Sequence, residues 1–545
     1  MRSTVLRARW LGRVRYRDAH ALQRALFAGA ADNYLLLLEH PHVYTLGVSA
    51  RPDHVLVPPE SVGAELVRAD RGGDVTYHGP GQLVGYPIVS VPTVPGATRS
   101  YVCSVEQLVI DVLADLGLPG AGRLGGYPGV WVEPDGAAPR KIAAIGVRIG
   151  RGRSMHGFAF NVDPDLAMFE HIVPCGISDK AVTSLAAEGI HVAMSTVVDA
   201  VASRAARLWG DGAERLERQD VAWRVAPTDL STFTKAGSRL EGRLAQAGVD
   251  PAGGVALAEP KPRWIRAKAV MGPEYRDLKR TMRSLDLVTV CEEAGCPNIF
   301  ECWAEGTATF MINGERCTRA CGFCLVDTRH PGPIDLGEPD RVADATDRLG
   351  LAHVVVTAVA RDDLPDGGAS AFAATIQAIR RRCPGAAVEV LIPDCKGDEA
   401  ALSTIFEARP AVLNHNLETV ARLQRAVRPS ASYARSLSVL ARAKEAGLVA
   451  KSGLILGMGE TESEVVGALA DLRAVGVDIV TLGQYLRPTA DHLPVARWWR
   501  PEEFEELRRA GMALGLTHVE ASPLTRSSYH ARGAAAAAAA RSAAG

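Results

Sequence analysis

From residue 307 to residue 521, strand-length apolar runs alternate with segments of helical period. Thr307 to Gly314, His353 to Val359, Val388 to Pro393, Ala411 to Asn414, Gly453 to Leu456, Ile479 to Tyr485 and His518 to Ala521 read as strands. Phe372 to Arg382, Glu399 to Glu407, Ala434 to Ala446, Glu462 to Ala474 and Glu502 to Leu514 read as helices. Repeated β–α units predict a parallel sheet covered by helices, since each parallel connection has to cross over. Where such units close fully or partly into a barrel, chemistry gathers at the C-terminal ends of the strands. The pattern begins well inside a chain of 545 residues, too long for one ordinary core, so two domains are expected.

Residues 5 to 210 have a different texture. Short apolar runs such as Tyr34 to Leu38 and Gln82 to Val91 are broken by Gly and Pro, and one helical stretch, Val102 to Leu116, intervenes. This predicts an α+β domain with a largely antiparallel sheet. Residues 212 to 262 lose that order, and Ala245 to Pro262 is rich in Gly, Ala and Pro, which reads as a tether. The expected division is a first domain over 1–211, a linker over 212–262, a second domain over 263–533 and an Ala-rich tail over 534–545. The tail has no evident face to bury and is expected to be disordered.

The formal net charge of −1 gives no global field that would favour nucleic acid or an acidic membrane surface. The first twenty residues lack a signal-peptide core, and no apolar run approaches the ~18 residues of a membrane span. A reducing cytoplasm is the expected location. There, clustered cysteines are more often ligands or catalysts than disulfides.

Six of the ten cysteines fall in two triplets, Cys291-x4-Cys296-x5-Cys302 and Cys317-x3-Cys321-x2-Cys324. Thiolates at short spacing favour Zn, Cu(I) or iron–sulfur centres. A structural zinc site wants four closed ligands and the second triplet offers three. On a four-iron cluster, three thiolates would leave one iron open to a small molecule. The triplet also lies in the loop after the first predicted barrel strand. Cys103, within a predicted helix, and Cys383 and Cys395, without partner spacing, read as structural.

With Phe323 before its last cysteine and a β/α barrel following, this triplet resembles the motif of the radical S-adenosylmethionine superfamily. The segment CEEAGCPNIFECW, Cys291 to Trp303, resembles lipoyl synthase. So do ARDDLPDGGA (Ala360 to Ala369), NHNLETV (Asn414 to Val420), KSGLILGMGET (Lys451 to Thr461) and QYLRP (Gln484 to Pro488). Taken alone, GMGET is an ordinary Gly-rich turn. In series at strand ends, these segments are expected to line the S-adenosylmethionine pocket.

The resemblance spans about residues 260 to 532 and implies two 4Fe-4S clusters. One, on Cys317, Cys321 and Cys324, would bind and cleave S-adenosylmethionine to a 5′-deoxyadenosyl radical. The other, auxiliary cluster would sit on Cys291, Cys296 and Cys302, with Ser528 of Arg526-Ser527-Ser528-Tyr529 as fourth ligand. Its sulfur would be inserted at C6 and then C8 of a protein-bound octanoyl chain. A ferredoxin- or flavodoxin-type reductant is implied.

In the first half, RGGDVTYHGPGQ (Arg71 to Gln82) and RKIAAIGVRIGRGRSMHGFAFNV (Arg140 to Val162) are dense in glycine. Such glycines admit a ligand against the backbone or serve tight strand bends, and glycine content alone leaves both open. Pro174-Cys175-Gly176 downstream offers a nucleophile on a turn. A nearby cation would favour its thiolate. Only nine of the sixty-one basic residues are lysines, and one of them, Lys141, lies inside the second Gly-rich segment.

These segments together are similar to the octanoyl-(acyl carrier protein):protein octanoyltransferases, over about residues 5 to 210. That family implies the α+β fold of the biotin/lipoate protein ligase catalytic type, a thioester on Cys175 and activation by Lys141. It also implies acyl binding by Arg71, Gly72, Gly73, Asp74, Val75, Thr76, Tyr77 and His78, by Ala144, Ile145 and Gly146, and by Gly157, Phe158 and Ala159. His78 could polarise the thioester or brace its loop. The runner-up is a lipoate ligase, which shares the fold, activates an acid as its adenylate and needs no cysteine.

The expectation is therefore a two-domain enzyme, with this α+β domain followed by a partial TIM-like α/β barrel of the radical type. Octanoyl-acyl carrier protein, the lipoyl domains of 2-oxoacid dehydrogenases and the glycine cleavage H protein are the implied partners. A non-catalytic thiol–metal module joined to an acyl-binding domain, and a relative of biotin synthase, are the alternatives. The latter leaves Ser528 and the first triplet unexplained.

Overall fold

Strand Leu6–Arg13 is buried along nearly its whole length, which marks it as interior to a sheet rather than an edge. In the computed structural model it is flanked on both sides by parallel neighbours, Leu216–Asp220 and Asn33–Glu39. The sheet continues antiparallel through Gln82–Ile88, Arg153–Asn161, Arg140–Gly150, Tyr127–Val132 and Ala121–Leu124. The structure describes residues 5–210, 215–223, 237–250, 252–266, 273–285, 287–289, 298 and 307–542.

Helices Ala97–Asp115 and Met194–Trp209 supply Val105, Val109, Val112, Val197, Val198 and Val201 to one core with Leu35, Leu37, Phe158 and Phe160 of the sheet. Only one helix, Val102 to Leu116, is expected from the sequence of this half. Tyr16–Gly29 and Met194–Trp209 are also helical. In Tyr16–Gly29 the buried Ala19, Leu22 and Leu26 carry the helical period, diluted by the interleaved charges. A second, three-stranded sheet, Glu65–Arg68, Val43–Leu46 and Val75–His78, packs its own small core of Tyr44, Val75, Tyr77 and Phe169.

The second unit holds seven parallel strands in sequence order: Thr307–Ile312, His353–Ala358, Ala387–Leu391, Val412–Asn414, Ala450–Leu456, Ile479–Gln484 and His518–Ala521. Val288–Thr289 adds antiparallel to the first. Strict sequence order without a switch of direction is the wall of a partial barrel. Helices Ala369–Arg382, Glu399–Glu407, Tyr433–Glu445, Glu462–Ala474 and Pro501–Ala513 intervene where expected, and Glu338–Arg348 is an additional one. Among the described residues, no helix is long and apolar enough to cross a membrane.

Glu389 and Lys451, on two of these strands, meet at 2.8 Å with side chains at most 1% exposed, and His353 Nε2 lies 3.5 Å from Glu389. Burial pushes the Glu389 carboxyl up, but Lys451 and His353 outweigh it and hold the carboxyl below its ordinary value. A depressed carboxyl adds stability above its unfolded pKa, and that stability is lost as pH falls through the folded value. Lys451→Met is expected to destabilise the second unit by about 3–5 kcal/mol, since it strands a buried carboxylate. Denaturant unfolding near neutral pH measures this.

The two segments expected to lack order differ from expectation. The chain divides into units of residues 1–223 and 224–545. Strand Leu216–Asp220 completes the first sheet, and Trp223 stacks on Trp10 with ring centroids 4.3 Å apart. Helix Gly237–Gln246 and the stretch after it belong to the second unit: Val255 N–H donates to Val495 O at 2.7 Å, and Trp264 Nε1 to Trp499 O at 3.2 Å. A Gly- and Ala-rich composition therefore did not make a free tether, because Leu244, Ala247 and Val249 find a surface to bury against. Likewise Ala531–Ser542 is helical, and Ala534 and Ala538, one turn apart, pack on Ile479. Methyl groups at i and i+4 were face enough.

Candidate functional site

In the first unit a register shift in the pairing of Val130 and Trp131 with Ala143 and Lys141 makes a bulge. Bulges re-aim side chains. Lys141 is buried, with Nζ 4.7 Å from the centroid of the Trp131 ring, a cation–π contact that keeps the ammonium against the sheet. Cys175 occupies the turn Pro174–Gly176 at φ 56°, ψ 19°. A non-glycine residue in this left-handed region costs roughly 1–3 kcal/mol, and such strain concentrates at functional sites. The turn is packed beneath by Asp74, whose Oδ2 pairs with His54 Nδ1 at 2.6 Å; a Cβ at Gly176 would stand 2.9 Å from that oxygen.

Lys141 and Cys175 line one cavity of about 310 Å³ and also share a narrow crevice with Thr76, Ala144 and Ala159. Of the predicted acyl-binding residues, the structure brings Arg71, Gly72, Gly73, Asp74, Thr76, His78, Ala144, Ile145, Gly146, Gly157, Phe158 and Ala159 to the cavity wall. Val75 and Tyr77 are not among them. Successive side chains of strand Val75–His78 point to opposite faces, and these two fill the small core behind it.

The resemblance implies a contiguous segment, and along strand Val75–His78 alternate residues face the cavity. The cavity also takes Tyr16, Tyr86 and His156, which were not among the expected acyl-binding residues. Tyr16 Oη and His156 Nδ1 are buried and have no hydrogen-bond partner among the described residues. His156 Nε2 donates to Asp70 at 2.7 Å, and Asp70 also meets His20 at 3.2 Å and Arg148. A helical period in residues 16 to 29 was the signal that could have found Tyr16.

His78 is set by its neighbours. Gln82 Nε2 donates to Asn161 Oδ1 at 2.9 Å, so Gln82 Oε1 faces His78 Nδ1 at 2.8 Å and accepts a hydrogen bond from its N–H. The remaining Nε2 lies 3.3 Å from Thr45 Oγ1, which accepts from Arg71 Nη2 at 2.9 Å. Burial, then His40 and Arg71, push its pKa far down, so the ring is neutral. Both nitrogens are engaged within the protein. This geometry braces the Arg71 loop.

Glycine is required where strands close on each other. A Cβ at Gly157 would fall on Gly85 O, and one at Gly85 on the Phe158 ring. Gly157→Ala is expected to destabilise the first unit by about 1–3 kcal/mol through overpacking. Thermal unfolding of the purified chain reads this directly.

In the second unit Cys317, Cys321 and Cys324 line a cavity of about 330 Å³ at the C-terminal mouth of the strands, together with Thr525, Arg526, Ser527 and Ser528. Cys317 Sγ accepts N–H bonds from Ala360 at 3.3 Å and Arg319 at 3.4 Å. Two donors on one sulfur suit a thiolate ligand, and such bonds tune iron–sulfur centres. Three thiols on one cavity wall, one so prepared, fit a cluster with an open iron. Cys291, Cys296 and Cys302 lie outside the described residues. Asn298 donates from Nδ2 to Leu524 O at 2.6 Å, two residues before Arg526.

The other strand-end segments divide. His415, Asn416 and Glu418, and Gly453 to Ile455, line the cavity. Burial raises the Glu418 carboxyl pKa, and Asn416 Nδ2 donates to it at 3.1 Å and to Ser527 Oγ at 2.7 Å. Gly457 to Thr461 does not line it. There Glu460 accepts from the N–H groups of Gly457 and Met458 and from Trp499 Nε1, so this turn is structural. Gln484 to Pro488 is likewise absent from the wall, and of Ala360 to Ala369 only Ala360 reaches it.

The partial barrel and its three-thiol loop define a radical S-adenosylmethionine enzyme, here carried behind a separate catalytic domain. Residues 311–472 match the radical SAM superfamily, residues 255–296 the N-terminal domain of lipoyl synthase, and residues 15–206 the lipoyl protein ligase A/B catalytic domain. The chain belongs to the lipoyl synthase family. A lipoyl synthase of Rubrobacter xylanophilus is 59% identical over 50% of this chain and 85% of its own length. One of Mycobacterium leprae is 53% identical over 56% of this chain and 93% of its own. A bipartite lipoate protein ligase of Thermoplasma acidophilum aligns with 40% of this chain and 86% of its own at 18% identity, with a TM-score of 0.32.

Proposed function

We propose that the chain carries out two consecutive steps of lipoate assembly in the cytoplasm. The first unit moves octanoate from acyl carrier protein to a lysine of a lipoyl domain through a thioester on Cys175. The second inserts sulfur at C6 and C8 of the bound chain. The observation that carries the first step is the meeting of Lys141 and Cys175 on one cavity wall with the glycine segments. Lys141, as its ammonium, would favour the Cys175 thiolate for attack on the incoming thioester and give its proton to the carrier thiolate that leaves; then neutral, it would accept the proton released as the neutral lipoyl-domain lysine amine displaces Cys175. Arg71 and the close-packed glycines would hold the acyl group, with His78 bracing them.

For the second step, Cys317, Cys321 and Cys324 would hold a 4Fe-4S cluster and the strand-end residues S-adenosylmethionine. When bound, they supply the radical chemistry that opens an unactivated C–H bond. Asn416 and Glu418 would orient polar groups of the cosubstrate, and the apolar Met311, Val355 and Leu391 exclude water. Ser528, with the first cysteine triplet, would hold the sulfur-donating cluster. The substrates would be the lipoyl domains of 2-oxoacid dehydrogenases and the H protein.

Octanoyl-acyl carrier protein, an apo lipoyl domain, S-adenosylmethionine and reductant are combined anaerobically, and the carrier's mass is followed. Gain of octanoyl and then of two sulfurs is expected. No octanoyl gain would sink the first step; a gain without sulfur would sink the second. Iron analysis should give about eight irons per chain.

The family model for the first unit also covers ligases. A ligase needs ATP and no cysteine adduct, so octanoyl-Cys175 formed without ATP excludes it.

A further inference from the structure

We infer that Arg319 is a positioning residue: clamped between Asp362 and Asp394, it sets the Cys317–Cys324 loop in ligating geometry before a cluster arrives. This rests on the reading of that loop as a cluster site.

Arg319 lies between two of the three cysteines, and its side chain is 7% exposed. Nε donates to Asp362 Oδ2 at 2.7 Å, while Nη2 donates to Asp362 Oδ1 at 2.8 Å and Asp394 Oδ1 at 2.6 Å. The guanidinium thus grips one carboxylate with both prongs of its fork and reaches a second. Lysine, a point charge, cannot reproduce that geometry.

The two carboxylates come from different strand ends. Asp362 follows His353–Ala358, and Asp394, fully buried, follows Ala387–Leu391. Next to the clamp, Thr318 N–H donates to Ala360 O at 2.9 Å, and Asp362 N–H to Thr318 Oγ1 at 3.0 Å. Ala360 N–H in turn reaches Cys317 Sγ. The Cys317 end of the loop is therefore pinned to two strands through one side chain. Its other end is held apart from this clamp: Gly322 N–H donates to Val427 O at 2.9 Å, Leu493 N–H to Gly322 O at 3.0 Å, and His492 Nε2 to Cys324 O at 3.0 Å.

Buried ion pairs contribute little net stability, because desolvation offsets their attraction. A buried arginine that lines the cavity and grips two carboxylates behind it makes sense for the geometry it fixes. It also gives the Ala360 to Asp363 segment a purpose other than lining the pocket.

The test uses the full-length chain, wild type against R319K and R319Q. In cluster-free protein, alkylation of Cys317 followed by mass spectrometry should be faster in R319Q, with R319K between. After anaerobic reconstitution without S-adenosylmethionine, iron held by this loop against a chelator should weaken about 10- to 100-fold in R319Q. Wild-type alkylation and retention in R319Q would overturn the clamp. So would normal retention with only a raised KM for S-adenosylmethionine, which would make Arg319 a substrate contact. If R319Q melts or aggregates, D362N loosens the same grip from the more exposed side, and the same two readouts decide. A wild-type chain that takes up zinc and no cluster would instead defeat the functional reading, while the alkylation rates still judge the clamp.

Discussion

Cys175→Ala is expected to stop octanoyl transfer from acyl carrier protein, with a loss on the order of 10⁴- to 10⁶-fold in kcat, because Cys175 is the one thiol among the described residues of the cavity wall. Lys141→Met should cost nearly as much. The double variant should be no worse than either, since a nucleophile and its activating partner act as a unit. The same proteins, given a lipoyl domain that already bears octanoate, should insert sulfur at the wild-type rate. Mass spectrometry of the carrier separates the two reactions. Transfer that survives in Cys175→Ala would remove the thioester from the mechanism and restore the ligase reading.

Cys321→Ala should have the mirror-image effect. A cluster on two thiolates is not retained, so 5′-deoxyadenosine release and sulfur insertion fall to background, a loss of at least about 1000-fold, while octanoyl transfer is unchanged. Ser528→Ala separates the two proposed clusters. It should keep 5′-deoxyadenosine release and lose sulfur insertion. If both variants abolish both signals equally, Ser528 belongs to the radical site rather than to a distinct sulfur donor.

Much of the second unit was legible because its period changes sharply. Strand and helix alternate from residue 307, and the thiols fall after the first strand, as barrel logic requires. The first unit was harder. Its cysteine, lysine and glycines are recognisable as residue types, but Lys141 and Cys175 reach one cavity from distant segments, and Lys141 sits beside a register shift opposite Trp131. No spacing rule contains that shift. Val75 and Tyr77 were drawn into the site by contiguity and excluded by the strand's two-residue period. Composition misled at Ala245 to Pro262 and in the alanine tail. Low-complexity segments can dock wherever a small apolar surface awaits them, and that surface belongs to other parts of the chain.

The clamp residues were invisible for a different reason. Arg319, Asp362 and Asp394 are spread over seventy-five residues, and each alone is an ordinary charged loop residue. Their partnership is created by the side-by-side order of two parallel strands.

The loop that closes the second cavity comes from far along the chain. Thr525 rests on Gly483, where a side chain would strike the Thr525 carbonyl, and Ser527 is tied to Asn416. About 200 residues therefore separate Cys324 from the residues of that loop that share its cavity wall. At ~5–20 residues per second of synthesis, the nascent barrel carries its thiols uncovered for about 10 to 40 seconds. Over that interval Cys317, Cys321 and Cys324 stand open to stray metal ions and oxidants, whereas the first unit has already had its whole sequence to fold. The timing of translation, and not only the finished geometry, sets when a cluster can be enclosed.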